Sequence, residues 1–139
     1  MEQIKTYNTL KGSVRTFDEL LGRTLYKVTS DGDELVLYLS ETNYVKFFHY
    51  QDCCESVYIE DICGDLQDLV GAPLLIAEEV SDELYEAEHQ PEYAESYTWT
   101  FYKFATRKGY VDVRWFGSSN GYYSESVSVE FVDTTVTED

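Results

Sequence analysis

Residues 97–131 read YTWTFYKFATRKGYVDVRWFGSSNGYYSESVSVEF and show the clearest structural pattern in the chain. Aromatic and β-branched residues fill three segments of this stretch, and these residue types favour strands. The dipeptides Lys108-Gly109 and Asn120-Gly121 separate the segments and are typical of tight turns. The pattern therefore predicts three long antiparallel strands, Tyr97–Thr106, Tyr110–Phe116 and Tyr122–Phe131.

Shorter strands are predicted in the first half of the chain. Asp31-Gly32-Asp33 lies between two segments of alternating character, Thr24–Ser30 and Glu34–Ser40. An Asp-Gly turn between such segments is the pattern of a β-hairpin. Two more segments have strand character, Asn43–Tyr50 and Leu74–Val80.

Helical signals are few and short. Thr16 is a suitable N-cap for residues 17–21, and Gly22 follows as a stop. Apolar residues recur at helical spacing over residues 62–70, which predicts a second helix that ends near Gly71. The predicted fold class is α+β, with a mainly antiparallel sheet of about six or seven strands and one or two short helices. At 139 residues we expect a single domain, residues 1–132, and a flexible acidic C-terminal tail, residues 133–139.

The charge balance limits the classes of partner. With 27 acidic and 10 basic residues the chain has a net charge of −17. Such a field repels nucleic acid and anionic membranes, and it attracts basic proteins. We therefore expect no direct nucleic-acid binding and no membrane association. Self-association into a homo-oligomer stays open.

The start of the chain and its cysteines bear on localisation. The first residues have no apolar core like that of a signal peptide, and no apolar run is long enough to span a membrane. The three cysteines are odd in number, and two of them are adjacent, which makes a poor disulfide framework. These features indicate a reducing cytoplasm.

One face of the hairpin over residues 97–116 is the first candidate site. If Lys108-Gly109 forms a two-residue loop, strand parity places Tyr102 and Phe104 on one face with Val111, Val113 and Trp115, which predicts a core face. On the other face Lys103 stands directly opposite Arg114, and like charges in this position destabilise a sheet. A bound phosphate or carboxylate would relieve the repulsion, and aromatic planes beside it suit a nucleotide. The alternative is that Glu125 or another carboxylate of the chain neutralises the pair. The predicted ligand-binding residues are Arg114, Lys103, Trp99 and Phe116, with Asn120 and His49 as neighbours.

The segment around Cys53 and Cys54 contains further potential ligands but lacks the spacing of a metal site. Zinc sites pair cysteines two to four residues apart, whereas these are adjacent, and Cys63 has no partner at such a spacing. We therefore predict no metal, no cofactor and no catalytic residue, and we expect the three cysteines to be buried, inert packing residues. A small hydrolase that uses His49 with Cys53 or Cys54 is kept as the last alternative.

Three motifs resemble an uncharacterised domain family that is common in tailed-phage genomes. They are Gln51-Asp52-Cys53-Cys54-Glu55, Tyr97-Thr98-Trp99-Thr100-Phe101-Tyr102 and Ser119-Asn120-Gly121-Tyr122-Tyr123-Ser124-Glu125, and the resemblance covers about residues 45–130. The family has no assigned catalytic residues, so no mechanism transfers. The resemblance implies a phage origin, and with it a location in the cytoplasm of a bacterial host cell and a role in host takeover or counter-defence.

Together these observations predict a non-enzymatic phage protein that binds and sequesters a small anionic, nucleotide-like molecule of host immune signalling. The alternative is an acidic DNA mimic that inhibits a host nuclease, a CRISPR enzyme or a restriction enzyme. In that case the acidic segment of residues 78–95 would present the charge to a basic host protein.

Overall fold

The computed structural model of the protein describes residues 16–82, 96–119 and 124–134. These residues contain one short α-helix, one 3₁₀ helix and eight strands. In chain order the elements are α1 (Phe17–Leu20), β1 (Lys27–Ser30), β2 (Leu35–Tyr38), β3 (Asn43–Phe48), β4 (Ser56–Cys63), the 3₁₀ helix (Leu66–Leu69), β5 (Ile76–Asp82), β6 (Ser96–Thr106), β7 (Gly109–Ser119) and β8 (Ser128–Asp133).

The strands form two four-stranded antiparallel sheets. Sheet one has the order β1-β2-β3-β8, and sheet two has the order β4-β7-β6-β5. The predicted hairpin around Gly32 is confirmed, because Ser30 at the end of β1 pairs with Leu35 at the start of β2. The middle strands of sheet two, β6 and β7, are the longest elements and pair along their whole length.

The α+β prediction is wrong, because the described residues are essentially all-β. Of the predicted helix over residues 62–70, only Leu66–Leu69 is helical, as a single 3₁₀ turn. Its first part belongs to β4, which continues to Cys63 in register with Asp112. Gly64 then has a positive φ of 109°, which turns the chain out of the strand. The helical spacing of apolar residues reflects one turn that buries Leu69.

The last strand also differs from the prediction. A strand over Tyr122–Phe131 was expected next to the hairpin of residues 97–116, whereas β8 joins sheet one and pairs with β3. The turn predicted at Asn120-Gly121 lies outside the described residues. The chain passes close to β7 as it leaves for sheet one, because a Cβ atom on Gly117 would lie 2.6 Å from the carbonyl oxygen of Glu125. Gly117 therefore permits this crossing.

The hydrophobic core lies between the two sheets. The Phe47 ring of sheet one meets the Tyr102 ring of sheet two with their centroids 4.7 Å apart. The inner face of sheet two was predicted from strand parity, and burial confirms it. Its fully or almost fully buried members are Tyr102, Phe104, Val111, Val113 and Trp115.

The short helices complete this core, and the described chain ends beyond β8. Leu20 of α1 and Leu69 of the 3₁₀ helix are both fully buried. The amide of Thr134 donates to the carbonyl of Thr42, next to the last β8 residue, Asp133. Residues 135–139 of the predicted tail lie outside the described residues. Among the described residues, no helix has the length and apolar character needed to cross a membrane.

Candidate functional site

The register of the β6–β7 hairpin sets which charges meet on the outer face of sheet two. The two-residue turn is Arg107-Lys108, so Thr106 pairs with Gly109 and Lys103 pairs with Asp112. Arg114 stands opposite Phe101, and the predicted opposition of Lys103 and Arg114 is therefore wrong. The predicted and observed registers differ by two residues, which changes the partners but leaves each side chain on its predicted face.

Contacts with the 3₁₀ helix hold this turn in place. The Thr106 hydroxyl donates to the carbonyl of Asp68 over 2.5 Å and accepts from the amide of Lys108 over 3.1 Å. The Lys108 ammonium donates to the carbonyl of Val70. A Cβ atom on Gly109 would lie 2.5 Å from the Asp68 carboxylate, so Gly109 lets this side chain pack closely against the start of β7. The glycine that indicated the turn therefore serves as the first strand residue.

An aromatic cluster occupies the outer face beside Arg114. The rings of Trp99 and Phe116 lie 4.7 Å apart and are almost fully buried. The Phe116 ring also lies 6.0 Å from the Tyr58 ring and 6.3 Å from the Tyr97 ring. The Arg114 guanidinium carbon lies 5.4 Å from the centre of the Trp99 ring, which is within the range of a cation–π contact. Three of the predicted site residues, Arg114, Trp99 and Phe116, are thus brought together.

Two carboxylates of β4 face the guanidinium group of Arg114. Its Nη2 and Nε atoms both lie 2.7 Å from Oε1 of Glu60, and Nη2 lies 3.7 Å from Oδ2 of Asp61. Glu60 is the extra residue of a β-bulge, since Ile59 pairs with Trp115 and Asp61 pairs with Arg114. The bulge brings two consecutive acidic residues to one cation. That a carboxylate of the chain neutralises Arg114 was one of the alternatives from the sequence. That this carboxylate belongs to Glu60 could not be predicted, because a β-bulge leaves no clear signal in the sequence.

Glu125, the carboxylate named as the alternative partner, is engaged elsewhere. It is buried and accepts hydrogen bonds from the hydroxyls of Thr98 and Ser119, at 2.8 and 2.5 Å. Thr98 is the register partner of Gly117, where the chain passes close to β7, and Ser119 lies two residues beyond Gly117 on the same strand. Glu125 therefore fastens the crossing segment to one end of the β6–β7 ladder.

Lys103, the second predicted cation, also lies among carboxylates. Its ammonium is 3.8 Å from Oδ2 of Asp112, and Glu78 is its register partner on β5. The two cations of this face are therefore accompanied by four carboxylates, those of Glu60, Asp61, Glu78 and Asp112. The outer face is acidic around its basic residues, and an anionic ligand would meet this excess of negative charge.

A groove lies where this face meets the β1–β2 turn. Gly32 of the turn accepts a hydrogen bond from the amide of Ile59 on β4, over 2.8 Å. Beside this bond is an open cavity of about 310 Å³ lined by Ser30, Gly32, Ile59, Glu60, Asp61 and Ile62. A smaller depression of about 140 Å³ shares Ser30 with this cavity and is lined by Thr29, Ser30, Asp31 and Glu34. We call the two together the acidic groove. The sequence indicated only a turn at Asp31-Gly32-Asp33, because the approach of β4 to it is a tertiary contact.

His49, one of the two predicted neighbours of the site, does not join the aromatic cluster. Asn120 lies outside the described residues. The His49 ring lies between two acceptors, with Nε2 2.7 Å from the Glu55 carboxylate and Nδ1 2.8 Å from the carbonyl of Ser126. Both ring nitrogens are thus occupied by contacts that tie the loop after β3 to the segment before β8.

Glu55 is the buried centre of the loop that carries the adjacent cysteines. Its carboxylate accepts hydrogen bonds from the amides of Asp52, at 2.7 Å, and Cys53, at 2.9 Å. Burial acts to raise the pKa of Glu55, but the hydrogen bonds from His49 and the two amides outweigh it and hold the pKa at about 2, below the ordinary 4.5. Glu55 is therefore ionised at neutral pH and organises the loop.

The cysteines are not the buried packing residues that were expected. Cys53, Cys54 and Cys63 are all exposed, and the sulfur atoms of Cys53 and Cys54 are joined in a disulfide. The Cys63 thiol donates to the carboxylate of Asp61 over 3.6 Å, and the negative charge of Asp61 raises the pKa of the thiol. Within the part of the chain that the structure describes, no group of three or more His, Cys, Asp or Glu side chains could hold a metal ion.

The fold and these sites define an acidic, all-β, two-sheet protein with an aromatic outer face and an exposed pair of adjacent cysteines. The chain belongs to the family described as a domain of unknown function, DUF7448, whose model matches residues 18–129. Membership of an uncharacterised domain family is thus confirmed, over a range that begins well before the motifs in which it was first noticed. No curated protein and no solved structure matches the chain.

Proposed function

We propose that this protein is a non-catalytic phage protein that counters a host defence by binding the basic, nucleic-acid-binding surface of a host enzyme. The observation that carries the proposal is the excess of carboxylates around each cation of the outer face and along the acidic groove. The motifs of residues 51–55, 97–102 and 119–125 support the phage origin, since they resemble a family common in tailed phages. A host nuclease, a CRISPR enzyme or a restriction enzyme has the Lys- and Arg-rich surface that such a protein would occupy.

The contacts of Arg114 favour a basic partner over an anionic ligand. An anion that reached the guanidinium group would have to displace Glu60 from two contacts of 2.7 Å. It would also approach Asp61 at close range. A basic side chain in the acidic groove meets Glu60 and Asp61 without breaking a contact, and it gains from every further carboxylate of the turn. The carboxylates around Arg114 therefore favour a basic partner, as does the net charge of −17.

The acidic groove also has room for a basic side chain of a partner. An open cavity of about 310 Å³ beside the hydrogen bond between Gly32 and Ile59 has Glu60 and Asp61 in one wall. Glu34 lines the continuation of the groove, and its ion pair with Lys46, at 3.2 Å, is only partly buried. Lysine or arginine side chains of a partner can therefore reach carboxylates on both β4 and the turn.

A titration with a basic probe tests this proposal. Fluorescence anisotropy of a labelled deca-arginine peptide would be measured with the wild-type chain and with the double variant Asp31→Asn/Asp61→Asn, which removes one groove carboxylate from the turn and one from β4. The matched control is Asp18→Asn/Glu41→Gln, which removes the same charge from α1 and from the turn at the other end of β2. We expect Kd to rise about tenfold in the groove variant and less than about twofold in the control, and the affinity to fall steeply between about 50 and about 300 mM salt. An equal loss in both variants would show that net charge alone binds the peptide.

The host enzyme itself is sought by affinity capture from a bacterial lysate at increasing salt. A partner that the groove variant loses, and that the control variant retains, supports the proposal. The partner should be released by about 0.5 M salt, because its contacts are between charges that salt screens. A partner held unchanged at that salt concentration contradicts an electrostatic mimic.

A second candidate function is supported by the aromatic cluster, namely sequestration of a small nucleotide-like anion from host immune signalling. The almost fully buried rings of Trp99 and Phe116 lie beside Arg114, and Arg114 and Lys103 are the cations that would contact phosphate. Because Glu60 occupies Arg114, this function predicts that Glu60→Gln tightens binding. Calorimetry with cyclic and ADP-ribose-type nucleotides would measure both proteins, and an affinity no better than about millimolar in each would reject the candidate.

A further inference from the structure

We propose that Cys53 and Cys54 form a reversible dithiol–disulfide site that exchanges electrons with small thiols. The two residues are adjacent in sequence, both are exposed, and their sulfur atoms are bonded to each other. Because both lie at the surface, a small thiol can reach them without unfolding of the domain. The proposal is independent of the partner that the acidic groove binds.

The loop that carries the pair is held by contacts that do not involve sulfur. The Glu55 carboxylate is buried and accepts from the amides of Asp52 and Cys53. The Gln51 side-chain amide donates to the carbonyl of Glu55 over 2.6 Å and to that of Cys53 over 3.3 Å. His49 then ties the carboxylate to the carbonyl of Ser126. These contacts fix the backbone on both sides of the sulfur atoms, which lowers the entropy lost when the disulfide closes.

The surroundings of Cys63 provide a contrast within the same chain. Cys63 is also exposed, but its thiol faces the carboxylate of Asp61, whose charge disfavours the thiolate. The thiolate is the form that attacks a disulfide, so Cys63 is a poor exchange group at neutral pH. It therefore serves as an internal reference that stays a thiol while the adjacent pair changes state.

The exchange follows ordinary thiol–disulfide chemistry. The thiolate of a small thiol attacks one sulfur of the pair, which forms a mixed disulfide and releases the other cysteine as a thiolate that takes up a proton. A second small thiol attacks its counterpart in the mixed disulfide and releases the remaining cysteine. The protein disulfide gains two electrons and two protons, and two small thiols are oxidised to their disulfide. The dithiol is the form expected in a reducing cytoplasm, and an oxidised thiol pool drives the reverse reaction.

Mass spectrometry tests the proposal on the full chain. The protein would be equilibrated in mixtures of reduced and oxidised glutathione, quenched with acid and alkylated with N-ethylmaleimide. We expect two interconverting species, one alkylated at Cys63 alone and one alkylated at all three cysteines. The variant Cys63→Ser should also show two interconverting species, one with no alkylated cysteine and one with both Cys53 and Cys54 alkylated. A pair that stays fully reduced in oxidised glutathione, or that ends as a stable glutathione adduct, would overturn the proposal.

The role of the loop is tested by Glu55→Gln and, as a milder change, by Gln51→Ala. Each weakens the contacts that hold the backbone around the pair, so the equilibrium should move toward the dithiol by about fivefold, which corresponds to one hydrogen bond. Gln67→Ala, an exposed amide on the 3₁₀ helix, is the control and should leave the equilibrium unchanged. If Gln51→Ala behaves as the control does, the anchored loop does not support the disulfide.

Discussion

At the scale of single residues, Glu60 determines how the outer face of sheet two receives an anionic ligand at Arg114. Its carboxylate lies 2.7 Å from two nitrogen atoms of Arg114, and about one third of each side chain is exposed. Solvent screens a pair of this kind, so its contribution to stability is modest. Its effect on binding is larger, because it places a negative charge where an anionic ligand would otherwise contact the guanidinium group.

The exchange Arg114→Ala tests this account. It removes the contact with Glu60 and the guanidinium group from the Trp99 ring, and we expect the free energy of unfolding to fall by about 1 kcal/mol. Thermal denaturation should show a Tm lower by roughly 4 °C. Lys103→Ala is the control and should cost less than about 0.5 kcal/mol, because its ammonium makes only long contacts, 3.8 Å from Asp112 and 5.9 Å from the centre of the Phe101 ring. A higher Tm for Arg114→Ala would instead indicate repulsion between Arg114 and Lys103.

Glu55 gives a pH-dependent prediction. Its pKa is about 2 in the folded chain and ordinarily 4.5, so ionised Glu55 stabilises the fold fully above pH 4.5 and progressively less as the pH falls toward 2. Glu55→Gln lacks this contribution at every pH. Urea unfolding should therefore show a difference in stability between wild type and variant that is present at pH 5 and narrows as the pH falls toward 2. A difference that is the same at pH 3 and pH 7 would contradict the assignment.

At the scale of the elements, the Arg107-Lys108 turn and the 3₁₀ helix beside it determine which residues pair across the β6–β7 hairpin. Thr106 and Lys108 both bond to the end of the 3₁₀ helix, so the turn forms at Arg107-Lys108. The Lys103–Asp112 pair and the position of Arg114 opposite Phe101 both follow from that placement. A short helix packed at one end of a sheet thus fixes side-chain pairs along the whole ladder.

A charge-exchange cycle tests the register. Asp112→Lys places two lysines opposite each other in the observed pairing, and like charges in this position destabilise a sheet by about 0.5 kcal/mol. The double variant Lys103→Asp/Asp112→Lys restores an opposite pair and should recover most of that loss in urea unfolding. If Lys103 stood opposite Arg114, Asp112 would face Ala105, and the two changes would show no recovery of this kind.

At the scale of the whole molecule, stability depends on the contact between the two sheets. Phe47 of sheet one is fully buried against Tyr102 and Phe104 of sheet two. Phe17 of α1 packs against the same rings, 6.0 Å from Phe47 and 5.9 Å from Tyr102. Since neither sheet buries its inner face without the other, we expect both to unfold together.

The variant Phe47→Ala tests this cooperativity. It removes a fully buried ring, and we expect a loss of about 3 to 5 kcal/mol in the free energy of unfolding. Both tryptophans, Trp99 and Trp115, lie in sheet two, so their fluorescence reports on the sheet that is not mutated. Fluorescence and far-ultraviolet circular dichroism should shift to the same lower urea midpoint. Tyr26→Ala, an exposed residue beside sheet one, is the control and should cost less than about 1 kcal/mol. An unchanged fluorescence midpoint for Phe47→Ala would show that the sheets unfold separately.

The sequence by itself determined the acidic character of the chain, the hairpin at Gly32 and the two faces of the β6–β7 hairpin. Faces are predictable because side chains alternate along a strand, so any even shift in register leaves Tyr102 inside and Trp99 outside. Motif resemblance correctly indicated an uncharacterised domain family. These properties are local or compositional, and each can be read from neighbouring residues.

Only the tertiary structure decided the number of sheets, the destination of β8 and the partners of the charged residues. Glu60 reaches Arg114 through a bulge, and the 3₁₀ helix fixes the turn at Arg107-Lys108, so both depend on residues far apart in the chain. The helical spacing over residues 62–70 was misleading because a strand end, a glycine with positive φ and one 3₁₀ turn produce the same spacing. The physical reason is that register and ion pairing are set by packing between distant segments, whereas periodicity reports only the local backbone.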